Sequence, residues 1–239
     1  MAFVPSYNSR LLVGSQSASV FTRGFNFDTS TDQLEVTCLP DTAKVFTPGL
    51  DSSTASIDVL IDGSGLAGSE FATLNTWKTV AQPVSFFPEG TTPSRVAWLL
   101  SGNESQFTVN STEAGIVDGS VSIQTADFID AGVSLDALAS ISITTTSANV
   151  DNGAASSNGG VAHLHATAFS GLTSDTVTIE HSVDGATGWA TLVTFTAATA
   201  ITGERVTVAA ATTVRRYLRV VDTLVGVGSI STQVSFARR

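Results

Sequence analysis

Between Leu34 and Phe87 the spacing of apolar side chains changes twice, and that change limits the architectures open to the chain. Leu34, Val36 and Cys38 occupy every second position against Glu35 and Thr37, and Ile57, Val59 and Ile61 do the same against Asp58 and Asp62. A period of two belongs to a half-buried strand. From Ala67 to Ala81 the step becomes three or four, through Phe71, Leu74 and Trp77, with Ser69, Asn75, Thr76 and Lys78 on the other side. This predicts one amphipathic helix over 67–81, lying on a sheet. Val84 to Phe87 returns to strand and ends at the turn residues Pro88, Glu89 and Gly90. Between the paired strands, Pro40 to Ser52 reads as a long loop. With Lys44 as its one base, it carries Phe46, Pro48, Gly49 and Leu50, more apolar surface than a solvated loop needs. Such a loop is expected to touch a partner.

Further strands are predicted at 11–13, 21–27, 95–101, 106–111 and 120–127, with Gly102 and Asn103 turning a hairpin between the third and fourth of these. Met1 to Arg10 reads as an arm that docks through Phe3 and Tyr7. From Asn149 to Gly160 there is no apolar period, only a run rich in Asn, Gly, Ser and Ala, which predicts a linker. Beyond it, strands at 161–169, 176–182, 192–197, 204–209, 215–222 and 232–237 predict a small β-sandwich. The expected division is a first domain over 1–147, a linker over 148–160 and a second domain over 161–239 that folds independently.

A chain of 239 residues with 42% apolar side chains has ample material for a core. Its net charge of −10 is concentrated: residues 1–139 hold 15 acids and 5 bases, residues 140–239 hold 6 of each. An acidic domain does not bind nucleic acid through phosphates, because that affinity comes from basic side chains releasing counterions. It suits the wall of a passage that must not hold DNA. No stretch approaches the ~18 uninterrupted apolar residues of a membrane span, and no basic-then-apolar leader opens the chain, so no membrane anchor is expected. Cys38 is the only cysteine, which excludes an intrachain disulfide, and it reads as a small buried apolar residue.

Few residues suggest chemistry. Gly63, Gly65 and Gly68 have dinucleotide-fingerprint spacing between a strand and a helix, yet the chain lacks the further crossover helices of a doubly wound sheet, so they read as a helix entry. His163 and His165 share one face of a strand but lack an evident third zinc ligand, and read as strand-packing residues. Asp127, Asp130 and Asp136 are not spaced as a calcium loop. No serine sits in a nucleophile elbow. The chain is expected to be no enzyme and to carry no cofactor or metal.

Arm, hairpin, long loop, single helix, hairpin and appended sandwich, taken in that order, resemble the major tail tube protein of long-tailed, non-contractile bacteriophages of the siphovirus type. The resemblance spans essentially the whole chain. It is carried by Cys38 to Thr42 with Phe46 to Gly49, by the helix from Phe71 to Val80, and by Phe86 to Gly90 and Val96 to Ser101. In the second part it is carried by Val161 to Ala166, Glu180 to Gly185 and Arg216 to Val220, which look like an accessory domain.

The resemblance implies a mainly β fold, a tail-tube-type sandwich or barrel with one packed α-helix, followed by a small Ig-like sandwich. It implies homohexameric rings stacked into a tube in the virion tail, assembled in the host cytoplasm, with tail tip, tail terminator and tape measure proteins as partners. Double-stranded DNA passes through without specific binding. Pro40, Lys44, Phe46, Pro48, Gly49 and Leu50 then form the contact between rings. Asp28, Asp32, Glu35, Asp58, Asp62 and Asp127 are candidates for the lumen wall, together with Glu113 and Asp118, the choice among them depending on strand register. Six subunits giving four strands each at ~4.8 Å make a barrel of ~37 Å backbone diameter, wide enough for a duplex. The rival reading is a carbohydrate-binding or adhesin-type sandwich, with Trp189 and Tyr217 stacking on a sugar ring.

Overall fold

A computed structural model of the chain describes residues 6–39, 42–61, 76–111 and 116–239. The fold is mainly β, as the period-two runs require. In chain order the strands are β1 (Arg10–Val13), β2 (Gln16–Ser17), β3 (Thr22–Glu35), β4 (Phe46–Leu60), β5 (Gln82–Phe87), β6 (Val96–Asn110), β7 (Asp118–Thr125) and β8 (Asp130–Ser134). They continue with β9 (Ala139–Ile141), β10 (Thr145–Thr146), β11 (Val150–Asp151), β12 (Gly160–Ser182), β13 (Ala190–Thr194), β14 (Thr202–Val208) and β15 (Tyr217–Arg238). No helix among the described residues is long and apolar enough to cross a membrane.

The chain forms two compact units, and they are not the two domains expected from composition. The larger unit unites Met1–Val20, Gln82–Ser101 and Asp130–Arg239; the smaller unites Phe21–Ala81 and Gly102–Ile129. The boundary expected after 147 and the linker over 148–160 both give way to strand pairing. Antiparallel to β15, residues 130–151 lay down β8, β9, β10 and β11 in succession, with Ser134 opposite Ser235, Ile141 opposite Ile230, Thr145 opposite Asp222 and Val150 opposite Leu218. Val150 is 1% exposed, and Asp151 receives two hydrogen bonds of 2.7 Å from Arg216. One valine in a polar run does not raise an apolar period, yet its burial contributes about 1.5–3 kcal/mol, enough to hold the segment down.

Three expected turns are also strand. β6 runs straight through Gly102 and Asn103, and β12 and β15 each join two of the predicted strands into one of 23 and 22 residues. A Cβ on Gly102 would sit 2.3 Å from the carbonyl oxygen of Gln124, and one on Gly228 only 2.0 Å from that of Ser170. Glycine here permits close approach of neighbouring backbones instead of a reversal. Register shifts near Ala166, Ser170 and Leu172 let the two long strands bend while they stay paired.

In the larger unit both faces of β12 over 160–166 and of β15 over 232–237 are buried. Ala162, Leu164, Val177 and Ile179 of β12, with Leu218, Val220, Val234 and Phe236 of β15, enter a core completed by Leu135, Val150, Val193, Phe195, Val208 and Val214. The intervening positions His163, His165, Gln233 and Ser235 are fully buried as well, on the opposite face. A second cluster, Leu12, Phe87, Ala97, Leu99 and Ala237, packs in the same unit.

Asp222 of β15 is 2% exposed. Burial first, then the negative charges of Asp175 and Asp136, push its carboxyl up from 3.8 to about 7. The folded state therefore holds a proton that the unfolded chain has released, so Asp222 favours folding at low pH and loses that contribution as pH rises through about 7. Asp222→Asn is expected to stabilise the larger unit at pH 8 by up to ~4 kcal/mol and to change little at pH 4. Denaturant unfolding at the two pH values measures this.

The smaller unit is a sheet in the order β3-β4-β7-β6. Ala55, Ile57 and Val59 of β4 and Val121 and Ile123 of β7 point to one face and are buried there. Of the helix expected over 67–81, residues 67–75 lie outside the described residues, as do Gly63, Gly65 and Gly68. Thr76–Lys78 is a single 3-10 turn that buries Trp77, and Val80 is exposed. In the N-terminal arm Phe3 is likewise outside the described residues. Tyr7, in the 3-10 turn Ser6–Asn8, is exposed.

Candidate assembly surface

The expected loop from Pro40 to Ser52 is for the most part strand. β4 begins at Phe46, and its first half pairs with the second half of β3 as a two-stranded ribbon: Glu35 opposite Phe46, Leu34 opposite Thr47, Gln33 opposite Pro48, Thr31 opposite Asp51. Alternating polar and apolar residues in 46–52 give weak local strand signals, and Pro48 and Gly49 look like a turn; long-range pairing overrides both. β7 joins β4 only from Thr54 onward, so among the described residues the outer ribbon has no third strand. Among the described residues β3, 14 residues long, lies at the edge of its sheet and pairs as a strand with β4. A two-stranded ribbon is marginal in water, and so long an edge is a template for another strand.

Local contacts stiffen the ribbon. Lys44 Nζ lies 2.8 Å from Glu35 Oε2, Thr37 donates to Glu35 Oε1 at 3.1 Å, and the Val45 amide donates to Thr37 Oγ1 at 3.0 Å. The Val36 amide donates to the Val45 carbonyl at 2.8 Å, and Thr31 donates to Asp51. Gly49 sits where the register slips by one residue; a Cβ there would meet Asp32 Cβ at 3.1 Å and Leu34 Cγ at 3.2 Å.

What the ribbon leaves in water is apolar. Leu34 is 53% exposed, Phe46 51%, Leu50 82% and Leu39 fully, and Val36 and Val45 add to the same end. Of the six proposed contact residues, Lys44, Phe46, Pro48, Gly49 and Leu50 thus lie together on the ribbon, and Pro40 is outside the described residues. Cys38 belongs to this end too; it is exposed, not buried, because the strand expected over 34–39 stops at Glu35 and its alternation has no sheet to face.

Strand register sorts the acids. Phe25 and Phe27 stand opposite Ile57 and Ala55 and share their apolar face. The other face receives Asn26 and Asp28 from β3, Thr54, Ser56 and Asp58 from β4, Asp118, Ser120, Ser122 and Gln124 from β7, and Gln106, Thr108 and Asn110 from β6. Leu60, opposite Asp118 at the end of β4, is the apolar residue that this register adds to the same face. Asp32 continues this face along the ribbon. Arg23 is the base at its rim, 3.9 Å from Asp118. Glu35 falls at an odd position and so on the face opposite Asp28 and Asp32. Asp127 lies beyond β7 in no strand, and accepts the Phe128 amide at 2.8 Å. Asp62 and Glu113 are outside the described residues. Period-two counting could not separate Glu35 from Asp32, since that needs the strand's full extent from Thr22.

The aromatic residues of the rival sugar-binding reading are already engaged. Arg219 lies over the Trp189 ring at 4.1 Å and pairs with Glu180 at 2.6 Å. Arg216 lies over Tyr217 at 5.0 Å, and Gly185 packs so close to that ring that a Cβ would meet it at 2.9 Å. His163 and His165 are hydrogen-bonded inside the larger unit, and among the described residues no three of His, Cys, Asp and Glu come together to hold a metal ion.

No protein-family model matches the chain, and no curated protein matches it in sequence. Among solved structures it is similar to a chain of an extracellular contractile injection system, the PVC sheath-tube complex in its extended state, at 14% identity over 55% of this chain and 92% of that one, with a TM-score of 0.43. It is similar to a chain of the SPP1 tail tube at 10% identity over 52% and 77% of the two chains, with a TM-score of 0.40. It is also similar to a chain of the virion of a native gene transfer agent particle, at 10% identity over 50% and 92%, with a TM-score of 0.38. Each likeness spans about half of this chain.

Proposed function

We propose that the chain is a structural tail tube protein: copies join edge to edge into hexameric rings, the rings stack, and double-stranded DNA passes through the bore during ejection. One observation carries this reading. The sheet of the smaller unit has an apolar buried face, a mostly polar and acidic face, and at its edge the 14-residue strand β3, which among the described residues pairs as a strand with β4. Its four strands per chain, repeated in six copies, would make a closed barrel of ~37 Å backbone diameter. Closure would satisfy the β3 edge and turn the acidic face inward, where it repels phosphate.

The apolar end of the ribbon, from Leu34 to Leu50, supplies the contact between successive rings. The larger unit, neutral in charge over its C-terminal part, decorates the outside. On this reading the siphovirus-type tail is the location, and tail tip, terminator and tape measure proteins are the further partners.

Sedimentation velocity on the purified chain, followed by negative-stain microscopy of the fast fraction, tests the proposal. Rings or tubes with an open bore are expected as concentration rises. A chain that stays monomeric across the concentration series overturns it.

A further inference from the structure

We infer that the larger unit contains an acid-sensitive seam, in which the layer of β1, β2 and β5 is held against β12 and β14 by a hydrogen-bond chain that closes only while His163 and His165 are both uncharged. The sheet path β12-β15-β8-β6-β5-β1-β2 curls until the turn after β1 meets β14. There Gly14 and Gly203 pack backbone to backbone; a Cβ on Gly203 would lie 2.5 Å from Gly14. Beside this contact are the two imidazoles, both with 0% exposure.

The polar atoms admit one arrangement. His165 Nδ1 is 2.7 Å from the Gly14 carbonyl, so Nδ1 carries the proton and donates. Its Nε2 is then an acceptor, filled by the Ser85 hydroxyl at 2.8 Å. The Ser85 oxygen accepts from His163 Nδ1 at 3.0 Å, and His163 Nε2 accepts from Arg205 Nη1 at 3.3 Å. Arg205 lies 3.5 Å from Asp130, which is also held by Arg239 through bonds of 2.8 and 2.9 Å. On β15, Ser235 and Gln233 stand opposite the two histidines, and the Gln233 amide donates to Ser134 at 3.1 Å. The groups facing the pair are therefore Ser85, the Gly14 carbonyl, Ser235, Gln233 and Ser134, all neutral, and the cation Arg205 with its partners Asp130 and Arg239.

A proton added to His163 would put an N–H and a positive charge against the Arg205 guanidinium. One added to His165 would leave the Ser85 hydroxyl facing two donors, with its own hydrogen turned into a buried site. Neither has a route to water while the seam is shut. Burial holds His163 well below 6.5, with His165 and Arg205 adding to the effect, and lowers His165 to about 4 against the pull of the Gly14 carbonyl. Opening the seam lets both imidazoles take up protons, so acid favours the open form.

Hydrogen exchange on the whole chain at pH 7.5, 6, 5 and 4.5, corrected for intrinsic rates, tests the inference. Amides of β1 and β5 are expected to lose protection at least tenfold per pH unit below about 6, one power of ten for each proton taken up. Amides joining β12 to β13 should keep theirs at pH values where the seam has opened. In the double variant His163→Gln, His165→Gln, whose amides can still donate and accept, the pH-dependent loss should vanish. Unchanged protection in the wild type at pH 4.5 overturns the seam, as does simultaneous loss in β1, β5 and β13, or an equal loss in the double variant. Where the variant does not fold, the wild-type imidazole NMR signals decide. Titration near 6.5 in the closed protein overturns the inference, and silence until the seam opens supports it.

Discussion

Phe46→Glu combined with Leu50→Glu is expected to abolish tube formation while leaving a folded chain. Both side chains stand on the outer ribbon, 51% and 82% exposed in the single chain, so the replacements cost the isolated fold within about 0.5 kcal/mol each. On the proposed reading the same positions would be buried against the next ring of a stacked assembly. There a carboxylate without a partner is worth several kcal/mol of penalty per copy, and symmetry repeats that penalty at every subunit of the junction. The effect is all or none: rings without tubes, or tubes far shorter than wild type. Sedimentation and microscopy read the polymer, and circular dichroism reads the fold. Tubes of normal length would show that the ribbon does not join rings. Substitution is a sharper tool here than deletion of 44–50, because Phe46 to Leu50 is the opening of β4, and its removal would also strip β3 of its pairing.

On the reading that this face lines the bore, Asp28→Lys, Asp32→Lys and Asp58→Lys together are expected to convert a wall that does not hold DNA into one that grips it. The three acids share the polar sheet face and are exposed, so the exchange moves that face by six charges per chain at little cost to folding. In a ring of identical copies the new lysines form a continuous cationic belt. Each phosphate they neutralise releases counterions and steepens the salt dependence, with log K falling by about 0.9 per contact for each tenfold rise in salt. Variant tubes should retain duplex DNA at 50 mM salt and release it above roughly 0.5 M, with the steep slope of many contacts, whereas wild-type tubes retain none. Variant tubes that do not hold DNA at low salt, or hold it independently of salt, would remove the acidic face from the lumen.

Much of the fold was legible where alternation and burial agree. The strands expected at 11–13, 84–87 and 120–127 form within a residue or two of expectation, the first two as short apolar runs and the third because Val121 and Ile123 alternate with Ser120, Ser122 and Gln124. Misreading came at glycines. Gly102, Gly171 and Gly228 look like turns in a sequence, and only the neighbouring carbonyl oxygen shows that a side chain is excluded for lack of room. The segment 148–160 was misread for a related reason, since its ties to β15, the buried Val150 and the Asp151–Arg216 pair, raise no apolar period. The chemistry of His163 and His165 was hidden in another way. In a strand buried on both faces, polar residues between Ala162, Leu164 and Ala166 do not mark solvent, and their partners Ser85 and Gly14 lie far away in sequence. Within the assembly surface, Phe46 and Leu50 were visible as apolar residues out of place, while the open edge of β3 required knowing how far β3 runs.

The position of β15 also sets a timetable. Among the described strands it follows the other fourteen in the chain, yet it lies between β12 and the succession of β8 to β11, and it supplies side chains to both core clusters described in the larger unit. That unit cannot close on the ribosome until Arg238 has emerged, although its first strand leaves the exit tunnel more than two hundred residues earlier. The smaller unit, whose strands lie between Thr22 and Thr125, has all its partners long before. A cell making this protein therefore carries, for the several seconds that translation of the second half takes at 5–20 residues per second, nascent chains with a finished sheet and an unpaired, uncharged β12 segment around Ala166 to Ser174.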